Sequence, residues 1–241
     1  DGERYAYFSK AVLAAMNYLE LQPDVVSCHD WQAALIPLLL KTEYRGCFPD
    51  AKSVFTIHNI EYQGIYGKEI LGDVFSLEGA DAEIVDYGGA VNLTKGAVVC
   101  ADYVTTVSPN YAKQIQTEEY SSGLHYILRQ YGYKIDGIVN GIDTAYYDPS
   151  SDPELPYHYS ARGLLGKMKN KNELQARFGL ALRPDTPVIA MISRLASHKG
   201  FDLVLAVFDE MMRDDVQFIL LGTGEHGFEE FFRAAAARYP G

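Results

Sequence analysis

The sequence predicts an α/β protein made of two successive Rossmann-like units, each with a parallel sheet. Short apolar runs rich in β-branched residues alternate with longer stretches of helical spacing. Polar residues gather just after the apolar runs, where a strand hands over to a loop. The alternation also restarts at Pro187, after a loop-rich stretch. A repeated order of strand, polar loop and helix implies a parallel sheet covered by helices. In such sheets ligands bind beyond the carboxyl ends of the strands. The chain has 241 residues, enough for two modest domains. We place them at residues 1–130 and 131–241.

In the first half, Phe8, Val12, Ala15, Met16 and Leu19 recur at helical spacing from Arg4 onward. Pro23 breaks that pattern, and Asp24–Cys28 reads as a buried strand running into His29-Asp30-Trp31-Gln32. Ala33 to Lys41 is apolar enough for a packed helix. A second strand, Ser53–Ile57, ends in His58-Asn59. Residues 65–87 form an irregular or helical excursion. A helix is expected over Asn92–Cys100, a strand over Tyr103–Val107 closed by Ser108-Pro109, and a polar helix over Tyr111–Gln130. His29 and His58 sit at equivalent strand ends, which leaves a ligand-binding and a structural reading open for each.

The second half opens with Lys134–Val139 leading into Asn140-Gly141-Ile142-Asp143, a turn signal because Asn and Gly tolerate positive φ. Asp148 to Pro156 reads as surface loop, and Lys167 to Phe178 as a basic helix. The strand Val188–Ile192 then delivers Ser193-Arg194-Leu195-Ala196-Ser197-His198-Lys199-Gly200. That stretch reads as a tight turn carrying two cations into a helix. Backbone N–H groups and the positive helix end add to the side-chain charge there, so the turn suits a phosphate. The last elements are the strand Val216–Leu221, the glycine turn Gly222–Gly227 and a helix over Phe228–Arg238. Two units with polar strand ends suggest a ligand held between two facing crevices.

Bulk properties exclude several classes. The net charge of −11 argues against general nucleic-acid or anionic-membrane binding. No apolar run is long enough to cross a bilayer, and no signal pattern is present. The cysteines are three, Cys28, Cys47 and Cys100, two of them in or beside apolar runs. They read as reduced, largely buried thiols of a cytoplasmic protein. There is neither CxxC nor HExxH, and no metal site is expected. Asp1 at the start and Tyr239-Pro240-Gly241 at the end suggest a fragment of a longer protein.

Gly222–Gly227 spells GxGxxG between a strand and a helix, which raises a rival: a nicotinamide- or flavin-dependent oxidoreductase. Three points weigh against it. The turn follows the unit's second strand, where the dinucleotide fingerprint usually opens the unit. Glu225 puts an acid where a pyrophosphate would approach. Arg194 and Lys199, on the neighbouring strand end, would have no partner. A plain strand-to-helix connection is the simplest alternative for the glycines.

Six motifs occur in order: Cys28-His29-Asp30-Trp31-Gln32-Ala33, Thr56-Ile57-His58-Asn59-Ile60-Glu61-Tyr62-Gln63-Gly64, Thr106-Val107-Ser108-Pro109, Val139-Asn140-Gly141-Ile142-Asp143, Ser193-Arg194-Leu195 with Lys199-Gly200, and Leu221-Gly222-Thr223-Gly224. As a set, from Arg4 to Gly241, they resemble the bacterial glycogen synthase and plant starch synthase family, retaining glycosyltransferases of the GT-B fold.

The resemblance implies two Rossmann-like domains, both incomplete here, with the glucan acceptor side in 1–130 and the nucleotide-sugar donor side in 131–241. It implies transfer of glucose from ADP-glucose to the non-reducing end of an α-1,4-glucan with retention. By matching position, Arg194 and Lys199 face the donor diphosphate. His29 and Asn140 contact the transferred glucose, and Gly222, Thr223 and Gly224 belong to the nucleotide site. Lys171 matches a family lysine whose role stays open. No DxD motif occurs, so fixed cations take the place of the metal that many GT-A enzymes bind, and no cofactor is expected. The family's N-terminal Lys-Thr-Gly-Gly-Leu-Gly-type loop and its C-terminal glutamate motif are missing, so the fragment alone is expected to be inactive. A non-catalytic glucan-binding protein remains a third reading, because aromatic residues could stack on sugars.

Overall fold

The computed structural model describes residues 1–240. It divides into two compact units, Asp1–Gly141 and a second beginning at Ile142.

In the first unit the apolar positions after Arg4 form helix α1 (Gly2–Tyr18), which buries Ala6, Ser9 and Leu13. Strand β1 (Val25–His29) leads through a single 3-10 turn, Trp31–Ala33, into α2 (Leu35–Lys41). Every α2 residue from Leu35 to Leu40 is buried, so this helix is core on all sides. Strand β2 (Lys52–Ile57) alternates as expected, burying Ser53, Phe55 and Ile57.

The excursion expected at 65–87 is a small antiparallel sheet in the order β3-β5-β4. It contains β3 (Ile65–Tyr66), helix α3 (Gly79–Val85), β4 (Asp86–Tyr87) and β5 (Ala90–Asn92). Helix α4 (Leu93–Cys100) follows, capped by Asn92, whose side chain accepts the Lys95 N–H. Strand β6 (Tyr103–Thr106) completes the pattern.

The single helix expected over Tyr111–Gln130 is two short ones, α5 (Pro109–Gln114) and α6 (His125–Gln130). Between them the chain turns through Ser122 (φ 48°) and Gly123 (φ 89°), backbone angles that no right-handed helix can contain. Strand β7 (Ile135–Gly137) then pairs with β6. The main sheet is parallel throughout, in the order β1-β2-β6-β7, with Cys28 beside Phe55 and Phe55 beside Val104. Because β7 belongs to this sheet, the break between units falls at Gly141, eleven residues beyond the expected boundary at 130.

Two polar anchors tie the layers. The Asp102 carboxylate accepts from the Ser53 N–H (2.8 Å), the Ser53 hydroxyl (3.0 Å) and Lys41 Nζ (2.8 Å), joining the starts of β6 and β2 to the end of α2. Lys134, only 8% exposed, donates to the carbonyls of Val99 (3.1 Å) and Ala101 (2.5 Å) at the end of α4. A cation there satisfies carbonyls that the helix leaves open.

The second unit begins with a loop braced by side-chain turns, in which the Asp143 carboxylate accepts from the N–H groups of Ala145 and Tyr146. Helix α7 (Leu165–Arg177), strand β8 (Val188–Ile192), helix α8 (Phe201–Met211), strand β9 (Gln217–Leu221) and helix α9 (His226–Arg238) follow. β8 and β9 pair in parallel, with Ala190 beside Ile219. Their core is aromatic: Phe208 meets Phe218 edge-on at 5.3 Å and Phe232 at 5.7 Å. Lys171 has a structural partner set here, donating to the carbonyls of Pro184 (2.7 Å) and Thr186 (2.5 Å). Among the described residues no helix is long and apolar enough to cross a membrane.

Candidate functional site

In the second unit the β8–β9 pairing does not stop where the strands do. The Ser193 N–H reaches the Leu221 carbonyl (3.2 Å), the Leu195 N–H reaches Thr223 (2.9 Å), and the Glu225 N–H returns to Leu195 (2.7 Å). Leu195 and Gly224 form a further parallel bridge. The turn that carries the cations is therefore zipped along the glycine turn.

This contact explains two of the glycines. A Cβ on Gly222 would collide with the Ser193 carbonyl, and one on Gly224 with the Leu195 carbonyl. Neither has a positive φ, so the constraint is the approach of neighbouring backbone and not conformation. Gly227 differs, because the space around its Cβ position is open. In a dinucleotide fingerprint the third glycine allows close helix–strand packing, and Gly227 has no such packing.

The chain then makes a 3-10 turn, Ser197–Lys199, and reverses at Gly200 (φ 76°, ψ 22°), the N-cap residue just before α8. That left-handed conformation suits glycine. Arg194 and Lys199 are exposed on this frame, and among the described residues neither side chain has a hydrogen bond or ion pair. Both side chains are free to meet an anion, and Lys199 stands just before the N-terminal end of α8, whose dipole has the same sign. Glu225, the acid that the sequence places where a pyrophosphate would approach, is bonded within the protein. Its carboxylate accepts from the Ser197 N–H (2.9 Å) and from the Ser197 hydroxyl (3.0 and 3.1 Å).

In the first unit, His29 closes β1 with its Nδ1 2.9 Å from His58 Nε2, the two rings stacked 5.2 Å apart at 29°. The Ser27 hydroxyl lies 3.2 Å from His29 Nε2, so both ring nitrogens of His29 have protein partners. Asp30 follows with φ 56° and ψ −179°, a strained conformation for a residue with a side chain. Such strain costs about 1–3 kcal/mol and persists only where the surroundings enforce it. Here the Asp30 N–H donates to Thr56 (2.9 Å) and its carboxylate accepts the His58 N–H (2.8 Å).

Neighbouring loops are equally tied. Ser108 caps α5 by accepting the Tyr111 N–H, and the Tyr111 hydroxyl accepts the Ile60 N–H at 3.1 Å. Buried Gln63 donates to the carbonyls of Ile60 and Ser122, and its own oxygen accepts from Asn92 at 2.6 Å. Asn140 lies exposed in the loop after β7, with no side-chain hydrogen bond among the described residues.

Of the residues singled out from sequence, Arg194, Lys199, Gly222, Thr223 and Gly224 come together in the second unit. His29 and Asn140 belong to the first. Sequence reasoning gave no role to Ser197 or Asp30, read Glu225 as an unfavourable charge, and left His58 undecided. The available signal was positional, since each stands within a few residues of a strand end. Among the described residues no group of three or more His, Cys, Asp or Glu side chains could hold a metal ion.

Parallel strands joined by helices, with polar groups at the strand ends, define a Rossmann-like protein. Comparison with known proteins identifies which kind. The family described as the starch synthase catalytic domain matches residues 1–130, and the chain belongs to that family.

Similar proteins include the glycogen synthases of Alkaliphilus metalliredigens (43% identical over 244 residues, all of this chain and 51% of that protein) and Streptococcus agalactiae (45%, all of this chain and 51% of that protein). Among solved structures, the catalytic domain of Starch Synthase IV from Arabidopsis thaliana, bound to ADP and acarbose, is 35% identical with a TM-score of 0.88. That match covers 98% of this chain and 50% of the other. The chain thus carries an α/β fold of the GT-B type and spans about half the length of the curated relatives it matches.

Proposed function

We propose that this chain is part of a glycogen or starch synthase that transfers glucose from ADP-glucose to the non-reducing end of an α-1,4-glucan with retention. The observation that carries the reading is the exposed, unpaired Arg194 and Lys199 on a turn made rigid by the glycine turn beside it. When the bond from the donor glucose to its phosphate breaks, negative charge grows on the departing diphosphate. Arg194 offers a planar fork and Lys199 a compact charge, and both interact more strongly with that developing charge than with the ground state. Holding the turn that bears them in place beforehand limits the reorganisation needed during the reaction.

Gly222, Thr223 and Gly224 take the nucleotide side of the donor, and His29 and Asn140 the transferred glucose. The first unit, Asp1–Gly141, serves the acceptor side and the second the donor side. The partners in this reading are ADP-glucose and the glucan, in a cytoplasmic setting, with neither nucleic acid nor membrane involved.

The test is made on the intact protein. ADP and ADP-glucose should raise its thermal unfolding temperature by mass action on the native state, whereas NADH should not. Arg194→Ala and Lys199→Ala should each lower glucose transfer by about a hundredfold, the usual cost of removing one such group, with folding unchanged because neither side chain has a structural partner. Stabilisation by NADH alone, or wild-type transfer rates in both variants, would overturn the reading.

A further inference from the structure

We propose that Glu225 is a positioning residue for the donor site, holding the turn that presents Lys199. The inference rests on the reading of Arg194 and Lys199 as the diphosphate cations. Glu225 touches neither of them; it acts through Ser197.

Ser197 opens the 3-10 turn whose last residue is Lys199, and within that turn the Lys199 N–H is bonded back to Ala196 and the Gly200 N–H to Ser197. The Ser197 N–H stands at the start of the turn, where a helical segment leaves donors without internal partners. Such a donor is normally taken by water or an anion. Here the Glu225 carboxylate takes it at 2.9 Å and takes the Ser197 hydroxyl as well, at 3.0 and 3.1 Å. These charge-assisted bonds are among the stronger ones a side chain makes. Glu225 is itself held on its backbone side, its N–H donating to Leu195 at 2.7 Å.

The carboxylate therefore does two things. It pins the Lys199-bearing turn to the start of α9, and it fills the anion-accepting N–H of Ser197, so that a phosphate arriving there meets the side chains of Arg194 and Lys199 instead. Without it the turn is released at its N-terminal side. A free Ser197 N–H and hydroxyl would then compete for the phosphate in a position that leaves Lys199 off the departing group. Donor binding survives in that arrangement while turnover suffers.

The experiment is a double-mutant cycle on the intact protein, reading kcat and KM for ADP-glucose in wild type, Glu225→Ala, Lys199→Ala and the double variant. Glu225→Ala is expected to lower kcat by about tenfold with a smaller change in KM, the pattern of a group that matters in the transition state more than in binding. In the Lys199→Ala background the same substitution should cost almost nothing, because the group it positions is gone. Glu225→Gln keeps an oxygen for Ser197 and should restore most of the rate. A fully additive cycle, or unchanged kcat in Glu225→Ala with only lowered thermal stability, would overturn the proposal while leaving the synthase reading intact. A wild-type protein that neither binds ADP nor transfers glucose from ADP-glucose would overturn both.

Discussion

Replacing Gly224 by alanine puts a methyl group against the Leu195 carbonyl, in a place where the obstacle is backbone and cannot rotate away. Relief requires the two turns to separate. Separation breaks the bond from the Leu195 N–H to Thr223 and that from the Glu225 N–H to Leu195. At about 1 kcal/mol each, these two bonds amount to ~2 kcal/mol. Crowding against that fixed carbonyl adds about 1–3 kcal/mol more. The opposing gain, from the smaller unfolded-state entropy of alanine, is no more than about 1 kcal/mol. A net loss of about 2–4 kcal/mol follows, with Gly222→Ala in the same range because its Cβ meets the Ser193 carbonyl.

Gly227→Ala is the internal control. Its surroundings are open and it lies in α9, so alanine should be neutral or stabilise by up to about 1 kcal/mol. Urea unfolding of the three variants in the intact protein, with ADP affinity by calorimetry, checks the series. Wild-type stability and affinity in Gly224→Ala would refute the argument. So would Gly227→Ala proving the most damaging, as close packing at a dinucleotide fingerprint would require.

Three further outcomes follow from the same structure. Burial pushes the Cys28 thiol up to about 12 and the Cys100 thiol up to about 11, while Cys47 is only half-buried. In the native protein at pH 8 a thiol reagent should therefore label Cys47 first, and equal rates at all three would contradict the packing. Asp102 sits below the usual carboxylate range: burial opposes this, but the bonds from Lys41 and Ser53 outweigh it. Its stabilising effect is then complete above the unfolded value of about 3.9 and is lost as pH falls through the lowered folded value. Stability measured from pH 6 downward should thus fall more steeply in wild type than in Asp102→Asn, and parallel curves would count against it. Lys171→Met removes both carbonyl contacts and should destabilise by about 1–3 kcal/mol in urea unfolding, with ADP affinity of the folded protein unchanged.

Much of the fold is legible because its signals are local. The alternation over Lys52–Ile57, the β-branched run at Tyr103–Thr106 and the apolar spacing of α8 each depend on residues a few positions apart. Tyr111–Gln130 misleads for the same reason, since its composition suits a helix while Ser122 and Gly123 turn the chain inside it. β7 is too short to declare its partner, and only pairing with β6 assigns it to the first unit.

The sequence alone determined where the strands end and which chemistry waits there: histidines at the ends of β1 and β2, an arginine and a lysine after β8, glycines after β9. What it could not determine is how those ends meet. Parallel pairing lays each strand beside the next in register, so side chains one strand–helix repeat apart become neighbours. His29 and His58 are 29 residues apart and 2.9 Å from contact atom to contact atom. Ser197 and Glu225 are 28 residues apart and joined by the same kind of short bond. No local pattern encodes either pair. Each exists because a repeat of that length returns the chain to the same edge of the sheet, and there the tertiary structure turns Glu225 from an unwelcome charge into a clamp.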